Sequence, residues 1–207
     1  ELVDLAARKR TRAAEVTRLA GAGDLRTAMR ICVEDRMNIL ISGGTSSGKT
    51  SFARWLLSLV DPAERIVTIE DAYELFPTQA NSLALKADRN MQGASTPARL
   101  LEACLRMRPD RIILGELRGE ESRTFLEAIN TGHGGSFTTI HADSAAKAID
   151  RLAIIAFDGA LGGWAGLIGR IAAIDFRVIA VVAGHRGSPS LGSGFISHPT
   201  TGCRISF

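Results

Sequence analysis

Residues 38–57, NILISGGTSSGKTSFARWLL, decide the fold of this chain. The stretch opens with an apolar run, passes through a glycine-rich turn and continues with helical character. Within it, Gly43, Gly48, Lys49 and Thr50 satisfy the spacing G-x-x-x-x-G-K-[ST] of a phosphate-binding loop. Because the motif follows an apolar run and opens a helix, it predicts a working P-loop rather than an ordinary strand-to-helix turn.

The predicted loop directs its backbone N–H groups at a phosphate, and the helix N-terminus adds about half a positive charge. Lys49 is expected to neutralise the β- and γ-phosphates and Thr50 to hold Mg²⁺, so ATP and Mg²⁺ are the expected ligands. A P-loop by itself leaves kinase, GTPase, transporter and motor open. The expected nucleotide-binding residues are Gly43, Gly44, Thr45, Ser46, Ser47, Gly48, Lys49, Thr50 and Ser51.

The composition of the chain is that of an ordinary globular domain. Its 207 residues are 45% hydrophobic and 23% charged, which favours one α/β domain. The net charge of +3 includes no basic block, so direct nucleic-acid binding is not indicated. Cys32, Cys104 and Cys203 have no disulfide or zinc spacing, which is typical of a reducing cytoplasm. No charge-free apolar run approaches the roughly 18 residues of a membrane span, so any membrane association is expected to be peripheral.

Apolar runs and helical stretches alternate along the chain. Runs typical of buried parallel strands lie at residues 39–41, 66–69, 112–114, 137–140 and 178–182. An exposed helix is expected over residues 1–20, and good helix signals separate the runs. The pattern therefore predicts right-handed crossovers and a mainly parallel sheet. Residues 184–207 are rich in Gly, Ser and Pro, and we expect an irregular or disordered tail.

Polar residues follow the next predicted strands, where ligands bind in a parallel sheet. Glu116 follows the most apolar strand, where an acid holds Mg²⁺ through water or polarises the attacking water. The alternative is a surface acid that pairs with Arg118. Of Glu70 and Asp71, one is expected to orient water or magnesium ligands and the other to cap a turn, with a purely structural role as the alternative. His141 is expected to sense the γ-phosphate.

Two further groups are candidates. His133 precedes the strand that ends near His141, roughly 17 Å away, so both histidines reach one phosphate only if the strand bends back. The stretch LRMRPDR supplies Arg106, Arg108 and Arg111. Arginines from a neighbouring subunit often meet transition-state charge in phosphoryl transfer. Packed or capping histidines and solvated arginines paired with nearby glutamates are the alternatives.

Four motifs in fixed order resemble those of the hexameric traffic ATPases of type II and type IV secretion. They are GGTSSGKTS, TIEDAYEL, LRMRPDRIILGELRGEE and NTGHGGSFTTIHADS, and the resemblance covers residues 38–156. The segments LGELRG and TTIHADS are most similar to those of the VirB-type motors of type IV secretion and conjugation. Ser46 stands where this family usually has glycine, which restricts the loop if the position needs a positive φ.

The resemblance implies a RecA-like ATPase domain over residues 37–183, preceded by a linker or helical remnant of an absent N-terminal domain in residues 1–36. It implies a homohexamer with ATP at the subunit seams, at the cytoplasmic face of the inner membrane beside other secretion components. It also implies arginines that act across the seam, for which Arg106 and Arg108 are the candidates. The expected catalytic residues are Glu116, Glu70, His141 and Arg118.

The sequence therefore predicts an ATP-hydrolysing motor that drives substrate translocation or pilus biogenesis in type IV secretion or conjugative transfer. The alternatives are a type II secretion or type IV pilus assembly ATPase, and a catalytically weak nucleotide-binding assembly fragment. A GTP-dependent switch is disfavoured because no N-K-x-D guanine-reading motif occurs. The sequence does not distinguish DNA, protein and pilin as cargo.

Overall fold

The computed structural model describes the backbone of residues 2–90, 93, 95–157, 176–181, 183–185, 188–192 and 195–196. Side chains are described from residue 12 to residue 156, with the same gaps. The helices are α1 Leu2–Gly21, α2 Leu25–Glu34, α3 Lys49–Leu57, α4 Pro97–Cys104, α5 Glu121–Asn130 and α6 Ala145–Phe157, and a short 3₁₀ turn, Leu105–Met107, continues α4. The strands are β1 Asn38–Ser42, β2 Ile66–Glu70, β3 Ser82–Lys86, β4 Arg111–Leu114, β5 Phe137–Ile140, β6 Phe176–Val181, β7 Ala183–His185, β8 Ser188–Gly192 and β9 Phe195–Ile196.

In the described part of the chain, one large sheet has the strand order β3-β2-β4-β5-β1-β6-β9. All its pairings are parallel except that of β9 with β6, while β7 and β8 form a separate antiparallel pair. The predicted α/β fold with a mainly parallel sheet is therefore confirmed. Because parallel strands run in one direction, the carboxyl ends of β1, β2, β4 and β5 share one edge of the sheet, here called the carboxyl rim.

Helices cover both faces of the sheet. Successive residues of β1 point to opposite sides: Leu40 packs in the core with α4, α5 and α6, whereas Ile39 and Ile41 pack in the core with α2 and α3. A strand that is buried on both faces carries apolar residues continuously rather than alternately. This burial explains why the strands appear in the sequence as short uninterrupted apolar runs.

Side-chain hydrogen bonds cap the starts of two helices. Asp24 caps α2 by accepting a hydrogen bond from the backbone N–H of Thr27 at 3.1 Å. Thr96 caps α4 by accepting one from the N–H of Arg99 at 3.4 Å, and Pro97 occupies the first helical position. These caps fix where the helices that flank the sheet begin.

The structure differs from the sequence prediction in three places. The helix expected over residues 1–20 exists as α1, but it is not fully exposed, because it packs on α2 through buried residues such as Val16 and Leu19. Strand β3 was not predicted, because its side chains are mostly exposed and form no buried apolar run. The segment expected to be irregular from residue 184 contains β8 and β9, while residues 197–207 lie outside the described residues. The domain boundaries at residues 36 and 183 stay a prediction.

None of the described helices is both long enough and apolar enough to cross a bilayer.

Candidate nucleotide-binding site

The predicted phosphate-binding loop connects β1 to α3 at the carboxyl rim. Gly48 is the N-cap residue of α3 and has φ 95°, a left-handed conformation that glycine adopts at low cost. No side chain caps the first turn of α3. The backbone N–H groups at this helix start are therefore directed at whatever anion binds there.

Ser46 occupies the loop with φ 59°, the left-handed region in which side chains are strained. The sequence marks this position because Ser stands where the resembling family usually has glycine. A non-glycine residue in this conformation costs on the order of 1–2 kcal/mol. The loop thus keeps its shape at position 46 although the residue disfavours it.

Lys49 lies in the interior of the loop rather than in solvent. Its buried ammonium donates hydrogen bonds to the carbonyl oxygens of Gly43 at 3.0 Å and Gly44 at 2.7 Å. Burial lowers the pKa of Lys49, the charge of Glu116 opposes that change, and the charge of Arg118 adds to it. A phosphate oxygen is a stronger partner for this ammonium than two neutral carbonyls, because its negative charge adds Coulomb attraction to the hydrogen bond.

A cleft at the carboxyl rim brings the predicted groups together. Thr50 and Lys49 line it from α3, and His141 lines it from the segment after β5. Glu70 and Asp71 follow β2, Glu116 and Arg118 follow β4, and all four also line the cleft. The sequence expectation that acidic groups and a histidine meet the P-loop lysine at one edge of the sheet is met by this geometry.

Glu116 contacts two other candidate residues within the cleft. Its Oε2 accepts a hydrogen bond from Arg118 at 2.6 Å, and its Oε1 lies 3.2 Å from Nε2 of His141. The hydrogen bond that Arg118 donates to Glu116 raises the pKa of Arg118. The side chain of Glu116 is 14% exposed, so the carboxylate is accessible from the cleft but sheltered. The pairing with Arg118 that the sequence offered as an alternative is thus present in the same cleft.

Glu70 is buried at the end of β2 and bonds to the turn that follows this strand. The buried carboxylate of Glu70 accepts hydrogen bonds from Thr68 Oγ1 at 2.8 Å and from the N–H groups of Glu74 at 2.8 Å and Leu75 at 2.9 Å. It therefore fixes the turn after β2, which is the capping role predicted for one of the two acids. Any action of Glu70 on water or metal stays a prediction.

His133 is not in the cleft, which corrects its place among the site candidates. It precedes β5, at the opposite edge of the sheet, and its Nδ1 lies 3.2 Å from the carbonyl oxygen of Pro109. The strand between His133 and His141 does not bend back, so only His141 reaches the carboxyl rim.

Arg106 and Arg108 lie before β4 and Arg111 is its first residue, so all three arginines of LRMRPDR lie away from the cleft of their own chain. Arg106 and Arg108 are exposed there, so their proposed action on a neighbouring subunit stays a prediction. Arg111 is different, because its side chain is only 2% exposed and forms bonds inside the domain. It is a structural residue and not a candidate for a subunit seam.

Two residues that sequence reasoning missed hold the cleft together. Arg89, in the loop after β3, donates hydrogen bonds to Asp71 and Glu121 and to the main-chain carbonyl of Glu116. Glu121, the first residue of α5, also accepts from the N–H group of Arg118 at 2.8 Å. An acid in the first turn of a helix is a recognisable signal for Glu121. Nothing in the sequence around Arg89 indicates its contacts.

The donor atoms of the cleft fit a magnesium ion that is bound jointly with a nucleotide. In the parts of the chain that the structure describes, no group of three or more His, Cys, Asp and Glu residues could hold a metal. Mg²⁺ usually keeps several waters and binds through one or two carboxylates and substrate phosphates, so such a group is not required. The hydroxyl of Thr50 and the carboxylate of Glu116 are the residues that would hold it.

The comparison with known families agrees with this geometry. Residues 9–183 match the family described as type II/IV secretion system protein. The chain belongs to this family. Among curated members, it is 40% identical over 132 residues to the protein VirB11 of Agrobacterium fabrum, covering 63% of this chain and 38% of the relative. It is 42% identical over 129 residues to the conjugal transfer protein TrbB of Rhizobium radiobacter, covering 61% of this chain and 39% of the relative.

A solved structure of the family shows the same architecture. The VirB11 ATPase of the Brucella suis type IV secretion system, in complex with sulphate, superposes with a TM-score of 0.77 at 32% identity. The match covers 92% of this chain and 58% of that chain. The fold is thus the RecA-like fold of the traffic ATPases. The chain spans less than two thirds of the length of these relatives.

Proposed function

We propose that this chain is the ATP-hydrolysing motor domain of a type IV secretion or conjugative transfer system. The observation that carries the proposal is the convergence of Lys49, Glu116 and His141 on one cleft at the carboxyl rim. Support also comes from the names of the relatives, which are a VirB11 protein and a conjugal transfer protein. The sulphate named with the Brucella suis structure is an anion of the size and charge of a phosphate group.

The residues of the cleft have separate roles in the proposed hydrolysis. The N–H groups of the loop and of the α3 N-terminus bind the phosphates, and Lys49 neutralises the outer ones. Mg²⁺, when bound, supplies further positive charge to the β- and γ-phosphates. Glu116 polarises the water that attacks the γ-phosphorus in line, which yields ADP and inorganic phosphate. Arg118 and His141 lie within hydrogen-bonding distance of Glu116 and hold its carboxylate.

The proposed assembly is a homohexameric ring, at the cytoplasmic face of the inner membrane with other components of the secretion system. In a ring, the exposed Arg106 and Arg108 of one subunit are available to the cleft of the next, which they cannot reach in their own chain. Mass photometry with a non-hydrolysable ATP analogue tests this assembly. A species near six times 22.1 kDa supports the ring, and a monomer at every concentration counts against it.

Substituting Lys49 with alanine tests the ATPase proposal. We expect MgATP turnover and binding of an ATP analogue both to fall about 10- to 100-fold, because a hydrogen bond to a charged group contributes about 1.5–3 kcal/mol. Steady-state phosphate release and analogue titration measure the two effects.

The matched control is Lys147→Ala, which removes an exposed lysine paired with Asp143 at 3.4 Å. This control is expected to behave as the unsubstituted chain. If the unsubstituted chain binds the analogue but releases no phosphate above the Lys49→Ala background, the alternative of a catalytically weak assembly fragment replaces the motor.

A further inference from the structure

We propose that Arg89 is a positioning residue for hydrolysis, which places Glu116 at the cleft through the main chain. This inference rests on the proposed function. Arg89 is in the loop after β3, and its side chain is 24% exposed. It is not among the residues that line the cleft.

The guanidinium of Arg89 joins three segments that are distant in sequence. Its Nε donates to both carboxylate oxygens of Asp71 at 2.9 Å, just after β2. One terminal nitrogen donates to Oε1 of Glu121 at 2.9 Å, and the other donates to the main-chain oxygen of Glu116 at 2.9 Å. A planar guanidinium has fixed donor directions, so these bonds set the relative positions of their acceptors.

Glu121 extends the effect of Arg89 along the turn after β4. Its carboxylate is 3% exposed, and the same Oε1 accepts from the N–H groups of Arg118 at 2.8 Å and Gly119 at 3.1 Å. Burial raises the pKa of Glu121, but the bonds from the Arg118 N–H and from Arg89 outweigh it and lower the pKa overall. Arg89 therefore holds this turn at the carbonyl of Glu116, and the ionised Glu121 holds it at the N–H groups of Arg118 and Gly119.

The consequence for hydrolysis follows from the position of Glu116 in that turn. Arg89 does not bond the Glu116 carboxylate, which instead contacts Arg118 and His141. Arg89 contacts the main-chain carbonyl of Glu116. It therefore sets the position of the backbone that carries the carboxylate rather than the charge of the carboxylate. A displacement of about 1 Å in a reacting group costs on the order of 10²-fold in rate. Loss of Arg89 should therefore lower kcat while nucleotide binding at the P-loop stays intact.

The experiment compares Arg89→Ala and Arg89→Lys with the unsubstituted chain. For Arg89→Ala we expect kcat for MgATP to fall about 10- to 100-fold, with KM and analogue affinity changed less than about threefold. Arg89→Lys should recover part of kcat, because a lysine keeps the charge but cannot bond three acceptors in fixed directions. The matched control is Arg99→Ala, which removes an exposed arginine paired with Glu102 at 3.5 Å and should leave both constants unchanged.

A double variant distinguishes positioning of Glu116 from a general loss of structure. If Arg89 acts through Glu116, adding Arg89→Ala to Glu116→Gln lowers residual turnover by less than about twofold, since the group it positions is already disabled. The proposal is overturned if Arg89→Ala lowers turnover by the same factor with and without Glu116.

Three other results also decide between these possibilities. If Arg89→Ala does not fold, Arg89→Lys carries the test, and a kcat equal to that of the unsubstituted chain overturns the proposal. An unsubstituted chain without Lys49-dependent turnover contradicts the proposed function itself and this inference with it. Normal turnover that is unaffected by either Arg89 variant contradicts this inference alone.

Discussion

Glu116→Gln is expected to lower MgATP turnover by about 10²- to 10⁴-fold, the range typical of positioned acid–base groups. Glutamine has nearly the same volume and keeps an oxygen that can accept the bond from Arg118, which measures 2.6 Å in the structure. It is neutral, however, and cannot polarise water as a carboxylate does. Because the P-loop and Lys49 are untouched, affinity for an ATP analogue should change little.

Glu120→Gln is the matched control for Glu116→Gln. Glu120 lies four residues further along the same turn, is exposed, and makes no capping bond to α5. The same chemical change there should leave turnover within about twofold, since surface substitutions away from special features have small effects. Equal losses of turnover and analogue affinity in Glu116→Gln would show that Glu116 serves binding rather than hydrolysis.

The sequence predicts the residues at the carboxyl rim well because each is placed there by its position after a strand. Lys49 sits at the start of the helix after β1, and Glu116 and His141 follow β4 and β5 within two residues or fewer. In a parallel sheet, the residues after each strand end on the same edge whatever the strand order is. No knowledge of packing was needed to bring these groups together.

The loops between the strands were less predictable, because their contacts join residues far apart in sequence. Arg89 follows β3, a strand whose exposed side chains show no apolar pattern. Its partner Glu121 lies 32 residues further along. Similarly, the buried carboxylate of Glu70 looks like a catalytic acid by position, whereas its bonds to Glu74 and Leu75 depend on the shape of a turn.

Arg111, at the edge of the sheet opposite the carboxyl rim, is another residue whose contacts the sequence does not predict. In the sequence it is one of three arginines in LRMRPDR, with nothing to separate it from Arg106 and Arg108. In the structure, its guanidinium forms a two-bond pair with Glu64 at 2.8 and 2.9 Å. It also donates to the carbonyl oxygens of Val33 at 2.8 Å and Gly135 at 3.2 Å. These bonds join the end of α2, the start of β4 and the segment before β5.

Arg111→Ala is therefore expected to lower the free energy of unfolding by about 3–5 kcal/mol, because removing one partner of a buried ion pair leaves the charge of the other uncompensated. Glu64 keeps a bond of 2.9 Å to Arg36, but that arginine is half exposed and cannot replace the buried one. Urea unfolding followed by circular dichroism measures the loss. Analogue affinity of the folded fraction should stay unchanged, since Arg111 lies at the edge opposite the cleft.

Two further variants decide whether the loss of stability comes from the uncompensated charge of Glu64 or from the other bonds of the Arg111 side chain. Arg36→Ala removes the exposed partner of Glu64 and should cost no more than about 1 kcal/mol, as surface ion pairs do. Arg111→Met combined with Glu64→Leu replaces the pair with apolar groups of similar length, a change that is often neutral when both charges leave together. If the double variant is as unstable as Arg111→Ala, the stabilisation comes from the bonds to Val33 and Gly135 rather than from the ion pair.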